Sequence, residues 1–182
     1  IASGFGLTPK HHRADLLDQI YSKLYELYEE RREPVLIIDE AQLIPKKATF
    51  EEIRLLTNFQ LDDENLLSIV LIGQPELKER LGHKAYRALR QRIGIQYSLR
   101  SLSEEETANY VNHRIRVAGG SVNPFTMEAM SAMFRCSEGI PRVINTLATT
   151  ALLDAYGDES STIDAERILA AAREHGLDGG QG

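Results

Sequence analysis

The feature that most constrains the fold is a short apolar run, Val35–Ile38, that ends directly in two carboxylates, Asp39 and Glu40. Three of its four residues are β-branched, so the run predicts a strand, buried on both faces of a parallel sheet. In open α/β sheets, ligands bind at the carboxyl ends of the strands. An acid pair there suits nucleotide hydrolysis, since one acid can hold Mg²⁺ and the other can orient or deprotonate a water. A strand that simply ends in solvated acids at a turn would show the same pattern.

A second apolar run, residues 66–73, predicts another buried strand, and it is followed by Gln74 and Pro75. Because parallel strands end at the same edge of a sheet, we expect Gln74 to lie near the acid pair. Its amide could hydrogen-bond a γ-phosphate or an attacking water. The alternative interpretation is a turn or helix-capping residue before Pro75.

Helices are predicted around these strands. Apolar residues at helical spacing predict a helix over residues 13–30, and Thr49 with Glu52 has capping-box spacing for the start of another. An acidic connection over residues 61–65 precedes the second strand. After it we expect two short helices and a third strand, over residues 76–81, 84–92 and 95–99. Strands alternating with helices imply a parallel sheet with crossover helices, and its remaining strands are expected before Ile1.

From residue 103 onward the pattern predicts helices only. Ser103 and Glu106 form a capping box, Thr126 and Asp164 are predicted N-caps, and Pro141 suits the first turn of the helix between them. We therefore predict a partial α/β sheet domain followed by an all-helical lid. The expected bounds are 1–102 for the sheet domain, 103–176 for the lid and 177–182 for a flexible tail.

A basic stretch joins the two halves. Residues 76–100 carry seven lysines or arginines and only two glutamates. Such a run is usually a solvated helical face, and a surface for nucleic acid or an acidic partner is the alternative. Arg92, at a helix end, could reach a phosphate bound by a neighbouring subunit, a contact that can change the rate about 10³–10⁵-fold. Arg142 lies in a first helical turn, where the dipole disfavours a cation, so either a nearby anion or simple surface exposure explains it.

Composition excludes several classes of site. A single cysteine, Cys136, allows no internal disulfide and no cysteine-cluster metal site, which fits a reducing compartment such as the cytoplasm. The five histidines lack ligand spacing. The chain has no apolar run near the roughly 20 residues of a membrane span. A net charge of -6 argues against a polybasic coat for nucleic acid.

Four strings in order resemble the motifs of an AAA+ P-loop ATPase. VLIIDEAQLI is similar to a Walker B motif, SIVLIGQPEL to a sensor-one strand, RALRQRI to an arginine-finger helix and GIPRVIN to a sensor-two helix. The likeness runs over roughly residues 5–172. It is strongest to the ExeA or GspA type of general secretion pathways, whose near relatives, the TniB and TnsC type, serve transposition.

The resemblance implies a role for each matching residue. These roles are Asp39 for Mg²⁺, Glu40 for the attacking water, Gln74 as sensor one, Arg92 as the arginine finger and Arg142 as sensor two. Arg90 is the second choice for the finger, and Gln74 departs from the Asn or Thr common at its position. The implied cofactors are ATP and Mg²⁺, in a homo-oligomer that serves a secretion complex or, alternatively, DNA and a transposase.

One motif of the family is absent. The 182 residues contain no G-x-x-x-x-G-K-[ST] phosphate loop. The resemblance places that loop before Ile1, so we expect a fragment of a longer ATPase that by itself binds ATP weakly or not at all. The stretch over residues 55–59 and the end at Gly182 slightly favour a resemblance to the transposition relatives. A non-catalytic interaction module with a relic acid pair is the remaining alternative.

Overall fold

The computed structural model describes residues 1–61 and 64–177. The chain separates into two compact units, Ile1–Gln96 and a unit that begins at Tyr97. The first unit holds a parallel strand pair with flanking helices, and the second is helical. The fold class predicted from the sequence, a partial parallel α/β sheet followed by helices alone, is confirmed.

The elements of the first unit are given in chain order. They are α1 (Arg13–Glu29), β1 (Val35–Ile38), α2 (Lys47–Leu56), β2 (Gln60–Leu61), β3 (Glu64–Asn65), β4 (Ser68–Leu71), α3 (Pro75–Gly82) and α4 (Arg87–Arg90). Three 3₁₀ turns accompany them, at Ala2–Phe5, Ala41–Leu43 and Lys84–Tyr86. The predicted helix over 84–92 is therefore a 3₁₀ turn followed by one turn of α-helix.

Strand β1 pairs in parallel with β4, and Ile38 lies opposite Leu71. The predicted acidic connection instead contributes a small antiparallel pair, β2 with β3. The third parallel strand, predicted over 95–99, is wrong: Ile95 and Leu99 are about nine-tenths exposed, and no strand lies beside that segment among the described residues. A strand needs a neighbour for its backbone hydrogen bonds, and this segment has none.

The sheet is covered on one face only. Leu36 and Ile38 are half-buried, whereas Val35 and Ile37 are 55% and 61% exposed. The prediction of strands buried on both faces is therefore wrong. Its physical reason is that the helices of this unit pack on the face that carries Leu36 and Ile38, where they form two small apolar clusters.

Two element boundaries in the first unit also differ from the prediction. Helix α2 begins at Lys47, so the capping box of Thr49 and Glu52 is wrong and Thr49 lies inside the first turn. Glu52 instead accepts hydrogen bonds from the Arg13 guanidinium at 2.9–3.1 Å, a tertiary contact that the local pattern does not reveal. The second strand is shorter than predicted, since it begins at Ser68.

The second unit contains α5 (Glu104–Val117), α6 (Met127–Ser137), α7 (Pro141–Gly157) and α8 (Ala165–Glu174). Its predicted caps are confirmed. The capping box of Ser103 and Glu106 is formed in both directions, and the side chains of Thr126 and Asp164 accept hydrogen bonds from backbone N–H groups three residues on. Pro141 is the first residue of α7.

One continuous apolar core holds the second unit together. Its fully buried large side chains come from three helices and the segment between α7 and α8, namely Met133, Ile144, Leu147, Ile163 and Ile168. Leu177 packs at the edge of this core, and the rest of the predicted tail lies outside the described residues. Among the described helices, none is both long and apolar enough to cross a membrane.

Candidate functional site

The acid pair lies at the carboxyl end of β1, and both side chains are at least partly exposed. Glu40 adopts the left-handed backbone conformation, with φ 51° and ψ 37°. Its N–H donates to Asp39 Oδ1 at 2.8 Å, which fixes the first carboxylate against the turn. Both carboxylates thus stay accessible to water at the sheet edge, as the proposed chemistry requires.

Gln74 follows β4 and occupies the N-cap position of α3, in keeping with the capping alternative for its position. Its side chain makes no capping hydrogen bond, so the amide is exposed at the sheet edge. Backbone bonds beyond the strands hold this edge together: Ile72 N–H donates to Ile38 O, and Ala41 N–H donates to Ile72 O, both at 2.9 Å. The ends of the two strands therefore lie side by side.

Sequence reasoning missed one residue of this edge, Gln42. Its Nε2 donates to Glu40 Oε2 at 2.6 Å, and its Oε1 accepts from the Gln74 N–H at 3.1 Å. One side chain thus joins the segments that carry Glu40 and Gln74. The only signal in the sequence was an amide two residues after the acid pair, in a stretch without periodicity.

Arg80 supports the same turn from the side of α3. Its Nη1 donates to Gln42 O at 3.2 Å and to Ile44 O at 2.5 Å. The guanidinium also lies 4.8 Å from the centre of the Phe50 ring and donates to the Tyr86 hydroxyl. The interpretation of the basic stretch as a solvated face is therefore wrong for Arg80, which is half-buried in a structural network.

The two candidate finger residues differ in their surroundings. Arg90 Nη1 donates to Gly82 O at 2.9 Å, so that guanidinium is engaged within its own unit. Arg92 lies in the turn after α4, is exposed, and makes no side-chain hydrogen bond or ion pair to the part of the chain that the structure describes. Arg142 is the second residue of α7 and is exposed in the second unit. Its predicted sensor-two role stays a prediction.

Few side chains at this edge of the sheet could bind a metal ion. Within residues 1–61 and 64–177, no cluster of three His, Cys, Asp or Glu side chains could hold a metal ion. Mg²⁺ rarely needs such a cluster, because it commonly binds one or two carboxylates together with waters and substrate phosphates. The accessible Asp39 carboxylate fits that donor set.

The chain is similar to known proteins both in sequence and in fold. The AAA domain family model matches residues 1–81. The chain superposes on a mutant of Thermotoga maritima RuvB with a TM-score of 0.57, at 18% identity, over 87% of this chain and 51% of that one. For the Aeropyrum pernix ORC2 protein the TM-score is 0.61, at 15% identity, over 96% and 47% of the two chains. Residues 1–81 thus match the AAA domain family, and the described chain has the fold of these AAA+ structures, a partial parallel sheet followed by helices.

A more similar relative narrows the identification. The chain is 40% identical over 160 residues to general secretion pathway protein A of Aeromonas hydrophila, which confirms the resemblance to that type. The match covers 87% of this chain and 29% of the relative, so the chain spans less than a third of the relative's length.

Proposed function

We propose that this chain supplies the acid pair and the sensing amide of an ATPase that hydrolyses ATP with Mg²⁺. The observation that carries the proposal is the side-by-side arrangement of the ends of β1 and β4, which carry Asp39, Glu40 and Gln74 at one exposed edge. Nucleotide binding is further supported by the Aeropyrum pernix relative, whose structure is described as ADPNP-ADP complexes.

Each residue of the edge has a defined task in this proposal. Mg²⁺, when bound, would neutralise the charge that develops on the transferred phosphoryl group. Asp39 helps to hold the ion, Glu40 orients the attacking water and accepts its proton, and Gln74 hydrogen-bonds the γ-phosphate or that water. Exposed carboxylates suit this work, because the attacking water must reach Glu40.

We further propose that hydrolysis requires more than one copy of the complete protein. Arg92 is the better candidate for the arginine finger because its guanidinium has no partner within the described residues, whereas Arg90 is held by Gly82 O. Arg142 would contact the phosphates as sensor two. The phosphate loop would come from a part of the protein outside these 182 residues.

For the cellular role we propose assembly or remodelling of a general secretion complex from the cytoplasm. The 40% identity to general secretion pathway protein A supports this choice over a transposition helper that binds DNA and a transposase. The absence of a phosphate loop from this sequence is what keeps a non-catalytic interaction module as the second candidate. Measurable ATP turnover by the complete protein would eliminate that candidate.

The decisive experiment is Glu40→Gln in the complete protein. We expect turnover to fall by about 10²-fold or more, the range of general acid–base catalysis, while ATP binding persists. Glu33→Gln is the matched control, because it removes an exposed carboxylate near the opposite end of the same strand. Steady-state phosphate release measures turnover. A Glu40→Gln rate within a factor of about two of the wild type would contradict the role given to this residue.

A further inference from the structure

Gln42 occupies the 3₁₀ turn that follows the acid pair and is half-buried there. Its amide has a different neighbour at each end: the Glu40 carboxylate at 2.6 Å and the Gln74 N–H at 3.1 Å. The orientation of the amide is fixed by these neighbours, because a carboxylate can only accept and an N–H can only donate. The position of the Glu40 carboxylate is therefore linked to the main chain that follows β4.

Few side chains can make this link. A glutamate at position 42 could accept from the Gln74 N–H but, when ionised, would have no proton to donate to Glu40. A lysine could donate but not accept. Methionine has nearly the same length and volume as glutamine without its polar ends. Gln42→Met therefore removes the two hydrogen bonds of the amide and keeps the size of the side chain.

The main chain of the turn is held independently of this amide. Ala41 N–H donates to Ile72 O at 2.9 Å, and Arg80 Nη1 donates to Gln42 O at 3.2 Å. Neither bond involves the Gln42 side chain. Replacing that side chain should therefore release Glu40 without unfolding the turn.

Gly73 leaves the space that the Gln42 amide fills. A Cβ atom at Gly73 would lie 2.6 Å from Gln42 Oε1 and 3.0 Å from Leu77 Cδ2. The φ angle of Gly73 lies outside the left-handed region, so the backbone itself does not require glycine there. An alanine at this position would displace the amide while leaving residue 42 chemically unchanged.

We propose that Gln42 is a positioning residue that holds the Glu40 carboxylate at a fixed position relative to the segment that carries Gln74. The inference rests on the proposed function, since it assigns Gln42 a task only if Glu40 orients or deprotonates water. Contact between Gln74 and a phosphate would be transmitted through the Gln42 amide to the carboxylate. In this role Gln42 acts through Glu40 and contacts neither the nucleotide nor the attacking water.

The first test compares Gln42→Met with Gln60→Met in the complete protein. Gln60 is the matched control, because it too is a glutamine that loses one side-chain hydrogen bond, from Nε2 to Asn65 Oδ1 at 2.8 Å, far along the chain from the acid pair. We expect kcat of Gln42→Met to fall at least about tenfold, with KM for ATP changed less than about twofold, because misplacement of a catalytic group acts on the chemical step. Gln60→Met should leave both constants unchanged.

The second test uses Gln42→Glu at neutral pH. A glutamate at position 42 can still accept from the Gln74 N–H, but when ionised it offers Glu40 no donor and repels its carboxylate. We expect kcat of this variant to fall at least as far as kcat of Gln42→Met, with KM for ATP changed less than about twofold. A kcat equal to that of the wild type would overturn the proposal, because the link would then need no donor at position 42.

Gly73→Ala supplies a variant that does not alter Gln42. It should lower kcat, and its effect should shrink in the Gln42→Ala background, where neither the amide nor its volume is left to be displaced. Strictly additive effects of the substitutions at positions 73 and 42 would contradict the proposed positioning role of Gln42. The proposed function is tested separately: if Glu40→Gln abolishes turnover while Gln42→Met behaves like Gln60→Met, the positioning role fails and the function of Glu40 stands. If Glu40→Gln is fully active, the proposed function fails first.

Discussion

The two units of this chain differ in how completely they bury their apolar surface. In the second unit, α6, α7 and α8 enclose one core whose central residues, such as Leu147 and Ile168, are fully buried. In the first unit, two smaller clusters lie on one side of a two-stranded sheet, and the other side exposes apolar residues such as Ile37. The helical unit therefore has a self-sufficient core, and the sheet unit does not.

The two units also differ in what a mutation is expected to affect. The candidate catalytic edge belongs to the unit with the open sheet face, where links such as those of Gln42 and Arg80 order a turn. The second unit carries Arg142 on a well-packed helix, and the sensor-two role of that residue stays a proposal. We infer that mutations in the helical core act mainly on stability, whereas mutations at the sheet edge act mainly on function.

The largest effect is expected for Leu147→Ala. Leu147 is fully buried in the helical core, and replacing a buried leucine with alanine typically lowers the free energy of unfolding by about 2–5 kcal/mol. Hydrogen exchange resolved by peptide can measure this loss in α6 to α8 separately from the first unit. A loss below about 1 kcal/mol would show that the core is not the continuous cluster described here.

Ile37→Thr is the contrasting change in the sheet unit. Ile37 is 61% exposed, and both residue types are β-branched, so the free energy of unfolding should change by no more than about 0.5 kcal/mol. A loss larger than about 1 kcal/mol would contradict the contrast between the two units, because it would mean that this face of the sheet is covered in solution.

An intermediate effect is expected for the helix caps. Thr126 accepts a hydrogen bond from the Ala129 N–H at 3.1 Å, so Thr126→Ala should cost about 1 kcal/mol in the stability of the second unit. Thr49→Ala in the first unit removes no cap, because Thr49 lies inside α2, and should be neutral or slightly stabilising. Urea unfolding followed by circular dichroism compares the two. Equal losses would contradict the observed start of α2.

A further effect, confined to acid pH, is expected at Glu106. Its carboxylate accepts from Arg100 Nη1 and Nη2 at 2.6–2.7 Å and from the Ser103 N–H at 2.8 Å, and these bonds lower its pKa from 4.5 to about 2. A lowered folded-state pKa means that the stabilisation is complete above pH 4.5 and is lost as the pH falls toward 2.

Glu106→Gln should therefore be less stable than the wild type at neutral pH and should approach it in acid. Glu105→Gln is the control, because it removes the same charge from the same helical turn while Glu105 makes no side-chain hydrogen bond to the described residues. Urea unfolding at neutral pH and at about pH 3 gives the comparison. A Glu106→Gln deficit that does not shrink in acid would contradict the assigned pKa.

Local sequence patterns were sufficient to predict the helices of the second unit. Capping residues such as Ser103 and Asp164 act within one helical turn, so the sequence alone located the starts of α5 and α8. The strand–acid pattern likewise predicted β1 and the position of Asp39 and Glu40. In each case the physical cause lies within a few residues of the prediction.

Contacts between distant segments were not predictable in this way. The exposure of Ile37 depends on which face the helices cover, and the strand predicted around Leu99 would have needed a neighbouring strand. The link through Gln42 depends on a backbone N–H thirty-two residues away. No periodicity or spacing in one sequence carries such information, because alternative pairings leave the pattern unchanged.

The left-handed conformation of Glu40 has a consequence for how this protein can be altered. A residue with a Cβ atom is strained by roughly 1–3 kcal/mol in such a conformation, and glycine would relieve that strain. The fold would thus tolerate, and even gain from, the loss of the very side chain that the proposed reaction needs. Selection for thermal resistance alone would therefore favour a change that removes the carboxylate on which the proposed function depends.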